Sequence, residues 1–297
     1  MRRYLHYINE RFSPAQLLPL ALCFGVSVGV MTQVVMRQSP TYEGITVVSV
    51  ALFLFLLRLR LLDDVKDYTH DQKHHPERPA AQNVVTQREL AMGAVVVTGV
   101  EFLIASFFGK AAILAFFVLS LYALCLFLEA LWGDRLRPYF LTYIAIHEGV
   151  VLPLLVYLVL LTKSVGLVDM AAPVFVALFV QWGALFFVLE VVRKIRAPEK
   201  ESTGVDTYTA QLGIVGAVVL LIGSALVACV GSLYVAYVVL PERFIAMGVT
   251  TSVLLCMGYA AWQFVSEPTP RQAKKLFVWT GVYVAAAGAW SRAADMN

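Results

Sequence analysis

Long apolar runs alternate with short polar segments along the whole chain, and the runs have the length of bilayer-crossing helices. A spanning helix needs about 20 mostly apolar residues. Runs of that kind fall near 15–35, 44–62, 89–108, 111–132, 139–161, 169–192, 210–238, 244–265 and 275–292. The pattern predicts an all-α, polytopic membrane protein: one domain over 1–297, nine transmembrane helices around a central cavity, and long polar segments at 63–88 and 193–209. The first run follows a charged start but is too long for a signal-peptide core and lacks a convincing small-residue cleavage site, so it reads as a span. Ahead of it, Arg2, Arg3 and Arg11 flank Tyr4, Leu5, Tyr7, Ile8 and Phe12 at helical spacing. Such a segment is expected to lie on the membrane surface.

Composition agrees with a lipid environment. Hydrophobic residues make up 60% of the chain and mean hydropathy is +0.75, whereas soluble domains are about 45–50% apolar. The net charge of +3 is small and the basic residues are scattered, which argues against nucleic acid as a partner. Cys23, Cys125, Cys229 and Cys256 lie inside apolar runs without metal-ligand spacing, so they read as packing residues. The basic residues also orient the chain, because positively charged short loops stay cytoplasmic. With the N-terminus inside, 18 of the 23 Lys and Arg fall on the inner side. Only Arg37, Lys110, Lys163, Arg243 and Arg292 fall outside. Both long polar segments are then cytoplasmic, and the C-terminus lies on the opposite side.

The first polar segment begins where the second run ends, at Leu61-Leu62-Asp63-Asp64-Val65-Lys66-Asp67-Tyr68-Thr69-His70-Asp71. If the helix continues, Asp64, Asp67 and Asp71 stand at i, i+3 and i+7, and Asp63 one turn before Asp67, so the carboxylates share a face. Clustered hard oxygen ligands suit Mg2+ shared between carboxylates and a phosphorylated substrate. The plainer reading is a solvated charged loop flanked by Arg58, Arg60, Lys66 and Lys73. His70, His74 and His75 in the same stretch leave a transition-metal site open. Pro76 ends any helix before it, which sets Arg78 in a stiff turn where it can pair with the carboxylates or with a phosphate.

Asp63 to Asp71 resembles the NDxxDxxxD motif of the UbiA superfamily of intramembrane prenyltransferases, with Asp63 in place of asparagine, and Arg78-Pro79 looks like the Arg-Pro that follows it. The likeness spans essentially the whole chain. It implies a membrane enzyme that binds a prenyl diphosphate through Mg2+, ionises it, and passes the prenyl group to a hydrophobic or aromatic acceptor. By this resemblance Asp64, Asp67 and Asp71 are the Mg2+ ligands and catalytic residues, with Asp63 and Arg78 on the substrate.

The second polar segment departs from that family. Gly204 to Gly213 looks like its G-x-x-T-x-x-x-x-x-G frame, and counting back places the expected aspartates at 196 and 200. The chain has Arg196 and Lys200 there. In one reading Arg193, Lys194, Arg196 and Lys200 contact phosphate oxygens in place of a second metal. In another, Glu190, Glu199, Glu201 and Asp206 supply displaced ligands. Glu190 and Asp206 are kept as substrate-site candidates either way. A plain positive-inside flank is the third reading. A cation-rich pocket also suits transfer of a phosphosugar onto a polyprenyl phosphate.

Ionisable groups inside spans usually face a cavity or a partner. In the fifth run Tyr139, Tyr143 and His147 recur at single-turn spacing. Tyr143 is an acceptor-pocket candidate, and His147 or Glu148 a base for the acceptor or simply an interhelical pair. Glu101 and Gln181 are further candidates for lining the cavity. A transporter using Glu101, His147 and Glu148 is the rival class, and a protein that binds prenyl lipids without turnover is a third.

Overall fold

The computed structural model describes residues 2–12, 14–74, 76–128, 139–201, 207–240 and 243–288, and all regular structure among them is helical. The helices are α1 (Arg2–Tyr7, continued by a wider π turn, Ile8–Phe12), α2 (Pro14–Val35), α3 (Tyr42–Lys66), α4 (Tyr68–His74), α5 (Gln87–Phe107), α6 (Lys110–Phe127), α7 (Phe140–Glu148), α8 (Val151–Leu160), α9 (Pro173–Arg193), α10 (Tyr208–Val239), α11 (Arg243–Ser266) and α12 (Pro270–Gly288). Among the described residues, eight stretches are long and apolar enough to cross a membrane. The protein is a polytopic helical membrane protein. The ninth expected run forms α12, but Arg271, Lys274 and Lys275 occupy its first two turns, so its uncharged stretch begins only at Leu276.

The fifth run is one span, Thr142–Leu160, built from two helices, and the break has a local cause. Pro153 has no N–H to give to the carbonyl of Gly149. That carbonyl instead accepts from Leu152 at 3.2 Å. Against the break, Tyr122 of α6 donates its hydroxyl to the Ile146 carbonyl at 2.7 Å. A Cβ on Gly149 would meet that hydroxyl at 2.3 Å.

The chain clusters into two compact units, Met1–Gly166 and Leu167–Asn297. In the first, α2 crosses α3 closely. A Cβ on Gly25 would lie 2.5 Å from Ser49 Cα, and one on Gly29 3.0 Å from Ile45 Cα. Small residues four apart let backbones approach where lipid supplies no hydrophobic drive between helices. On α5 the buried positions are Leu90, Ala94, Glu101 and Ala105, while Met92, Val95, Val96 and Leu103 face outward. The apolar surface is therefore turned to lipid.

Glu101 is wholly buried and meets Arg58 of α3 at 3.1 Å. Arg58 also donates to Ser120 of α6 at 2.8 Å, and Tyr157 of α8 donates to the Glu101 backbone carbonyl at 3.2 Å. Four helices converge on this one ion pair. In the second unit, Gln181 of α9 donates to the Ala287 carbonyl at 2.8 Å and Tyr283 of α12 to the Ala225 carbonyl at 2.7 Å. Gly231 lets α10 approach Ala177 and Gln181.

Removing one partner of a buried ion pair leaves the other charge uncompensated, a loss of about 3–5 kcal/mol, whereas replacing both with apolar residues is close to neutral. Arg58→Met should accordingly lower stability by about that much, and Arg58→Met with Glu101→Leu should recover most of it. Equilibrium unfolding of the single and double variants in bicelles checks this. Additive losses would show that the pair is not the link between these helices.

Candidate active site

The end of α3 carries the first group of residues. α3 runs to Lys66, where Asp67 interrupts it with φ −89 and ψ 4. The backbone bonds continue across the break: the Asp67 N–H donates to the Asp63 carbonyl at 2.8 Å, and the Asp71 N–H to that of Asp67 at 2.8 Å. Seven residues of helix bring a side chain back to within about 20° of its starting direction. Asp64 and Asp71 accordingly share a face, and each is only 1% exposed. Asp63 points elsewhere, with its side chain 55% exposed and Lys66 at 4.0 Å. Asp67 lies between them, half-buried.

Buried carboxylates require hydrogen bonds and positive partners. Asp64 accepts from the Tyr7 hydroxyl at 2.7 Å and from Arg11 through both Nε, at 3.1 Å, and Nη2. Arg60 Nε stands 3.6 Å away. The same Nη2 of Arg11 lies 3.6 Å from Asp71, and Arg78 donates to Asp71 at 2.6 Å. One guanidinium thus bridges the two carboxylates. Burial opposes the charge on Arg11, but Asp64 and Asp71 outweigh it and hold its pKa above the ordinary arginine value. Burial and the Asp64 charge push the Tyr7 phenol well up, so it stays a donor.

Arg78 is placed by the turn after Pro76, where Gln82, Asn83 and Val84 donate back to the carbonyls of Arg78, Ala80 and Pro79. Ala80 and Val85 are buried there with Tyr7, Leu61, Leu90 and Ala94. The leading segment therefore docks on the protein as well as presenting Tyr4 and Leu5 outward. Phe12 packs edge-on to Phe53 at 5.1 Å, and Arg3 and Tyr4 both donate to Glu89. Glu89 also closes a capping box with Thr86 at the start of α5. Sequence reading missed Tyr7 and Arg11 as site residues. Their i, i+4 spacing was visible, but their partners are 57 and 53 residues away. The side chains of His70, His74 and His75 lie outside the described residues.

A second group sits on α7. The Tyr143 and His147 rings meet in a tilted contact with centroids 4.1 Å apart, and His147 Nδ1 is 2.9 Å from the Tyr143 carbonyl. Glu148 ends the same helix.

The third group belongs to the second unit. Glu190 pairs with Arg193 at 2.6 Å and Lys194 at 2.8 Å, so two of the four expected phosphate-binding cations are already engaged. The loop then folds back on α10: Tyr208 N–H donates to the Lys194 carbonyl at 3.2 Å and Arg196 N–H to Thr209 Oγ1 at 3.1 Å. Glu201 accepts from the hydroxyls of Thr207 and Thr209, and Thr207 caps α10 by accepting from Ala210 at 3.0 Å. Gly213, the last glycine of the frame, takes φ 71, a conformation open to glycine at little cost. The side chains of Arg196 and Lys200 meet no carboxylate among the described residues. Asp206 lies outside the described residues.

A protein-family model, the UbiA prenyltransferase family, matches residues 14–283. The chain belongs to the UbiA prenyltransferase family. It is an enzyme of that class by descent. Two solved structures share the fold. One, of a digeranylgeranylglyceryl phosphate synthase studied in membranes, is 15% identical with a TM-score of 0.61, covering 98% of this chain and 99% of that one. The other, an apo structure of a UbiA homolog from Aeropyrum pernix K1, is 18% identical with a TM-score of 0.65, covering 93% and 98%. Comparison with curated proteins finds no significant match.

In this UbiA family member, Asp64, Asp67 and Asp71 offer the hard oxygen donors that Mg2+ takes. Among the described residues no three His, Cys, Asp or Glu side chains gather closely enough to hold a metal unaided. Mg2+ commonly binds through one or two carboxylates with substrate phosphates and water completing the shell. Two carboxylates already converging on one cation fit that mode.

Thr207→Val removes both the cap of α10 and a donor to Glu201. The expected loss is about 1–2 kcal/mol, with faster amide hydrogen exchange across 194–201. Unchanged exchange there would show that the Glu201 contacts do not hold the loop.

Proposed function

We propose that the chain transfers an isoprenyl group from a prenyl diphosphate to a hydrophobic or aromatic acceptor inside the membrane, in a Mg2+-dependent reaction. The observation that carries this reading is the convergence of Asp64 and Asp71 on a single cation beside Arg78, at the end of a membrane-spanning helix. Asp64, Asp67 and Asp71 would hold Mg2+, and the bound ion supplies Lewis-acid stabilisation of the leaving diphosphate. Arg78 binds a phosphate oxygen through its guanidinium fork, and Asp63 assists at the exposed edge of the motif. His147, in ring contact with Tyr143, would take a proton from an acceptor hydroxyl, with Glu148 as the alternative base. The spans exclude water, which protects an allylic cation from hydrolysis.

Arg196 and Lys200, which have no carboxylate partner among the described residues, support a role on phosphate, with Arg193 and Lys194 held beside them on Glu190. The same cations favour a variant in which a phosphosugar is joined to a polyprenyl phosphate. The concentration of lysine and arginine supports a cytoplasmic side for the N-terminus and both polar segments.

The purified chain in nanodiscs, supplied with Mg2+, radiolabelled prenyl diphosphates and a panel of aromatic, lipid and sugar-phosphate acceptors, should release diphosphate and label one acceptor class. Chelation should abolish turnover, and Asp64→Asn or Asp67→Ala should lower it at least about a hundredfold, the scale of a lost transition-state contact. Full activity in Asp67→Ala, or no diphosphate release with any acceptor, would contradict the proposal.

A further inference from the structure

The segment 2–12 is fastened at two anionic points. Arg3 and Tyr4 hold Glu89, and Tyr7 and Arg11 hold Asp64, with Arg11 also reaching Asp71. Arg11 of the second anchor stands on the π turn Ile8–Phe12, a conformation that is rare and concentrated at functional sites. The Glu89 anchor belongs to the capping box of α5 and does not depend on the aspartates. The family match begins at Pro14, so this segment lies outside it. A guanidinium and a divalent cation cannot share the same carboxylate oxygens without strong mutual repulsion.

We infer that segment 2–12 is a latch: Arg11 is the resident counter-cation of Asp64 and Asp71, and a divalent cation entering with diphosphate displaces it while Arg3 and Tyr4 keep the segment tethered at Glu89. The inference rests on the functional reading above, since it takes Asp64 and Asp71 to be metal-binding carboxylates. It makes Arg11 a regulator of entry to the site.

The test is Mn2+ binding to the full chain in lipid nanodiscs with inorganic pyrophosphate, followed by electron paramagnetic resonance of free Mn2+, in wild type, Arg11→Gln and Asp64→Asn. Arg11→Gln should bind Mn2+ about ten- to a hundredfold more tightly than wild type, the range over which partners of metal-ligating groups act. Asp64→Asn should lose binding. Hydrogen exchange on the wild-type chain supplies a second measurement that needs no variant to fold: amides of segment 2–12 should exchange faster once Mn2+ and pyrophosphate are added. Equal or weaker binding by Arg11→Gln, while wild type binds and Asp64→Asn does not, overturns the latch and leaves the functional reading standing. Slower exchange across 2–12 on metal binding overturns the latch as well. Absence of Mn2+ binding in both wild type and Arg11→Gln overturns the latch and the functional reading together.

Discussion

A carboxylate withdrawn from water has to be met by donors or positive charge, and the end of α3 and the α4 that follows it carry two of them on one face. Asp64 and Asp71 are each 1% exposed, and the elements around them are arranged so as to supply what they lack. The leading segment brings Arg11 and Tyr7, and the turn after Pro76 brings Arg78. The buried cluster of Tyr7, Leu61, Ala80, Val85, Leu90 and Ala94 fixes those contributors to the ends of α3 and α5. Charge compensation and apolar packing therefore meet at one place, and that place is the candidate site.

The same unit holds a second arginine–carboxylate contact with a different purpose. Arg58 and Glu101 are 2% and 0% exposed and are enclosed by α3, α5, α6 and α8. Neither can leave without stranding its partner in an apolar interior, which makes the pair a structural joint. Arg11 reaches its carboxylates from a short segment whose Tyr4 and Leu5 stay exposed. Its partners sit where α3 passes into α4 and are the residues proposed to meet a phosphorylated substrate. The same chemistry is a fixed joint in one location and, under the latch inference, exchangeable in the other.

The spans were legible because a bilayer imposes a length and a composition that single residues cannot disguise. The aspartate register was legible for a similar reason: helical periodicity survives the interruption at Asp67, so Asp64 and Asp71 remain aligned. Details set by contact were not. The division of the fifth span depends on Pro153 together with the close packing of Tyr122 on Gly149. The docking of the leading segment was not legible either, because its apolar spacing carries no record of Asp64, 53 residues beyond Arg11. In the second polar segment, counting positions exposed the loss of the expected aspartates. The clamp of Glu201 by Thr207 and Thr209, by contrast, follows from a fold-back that no spacing rule encodes.

Asp64 and Asp71 are proposed to act as one cation-binding pair serving a phosphorylated substrate. Anomalous scattering from Mn2+ in crystals of the full chain grown with pyrophosphate locates the ion directly. The predicted result is a peak within bonding distance of the Asp64 and Asp71 carboxylates, with pyrophosphate completing its shell. A metal and pyrophosphate found elsewhere, with Arg11 still bridging the two aspartates, would contradict it.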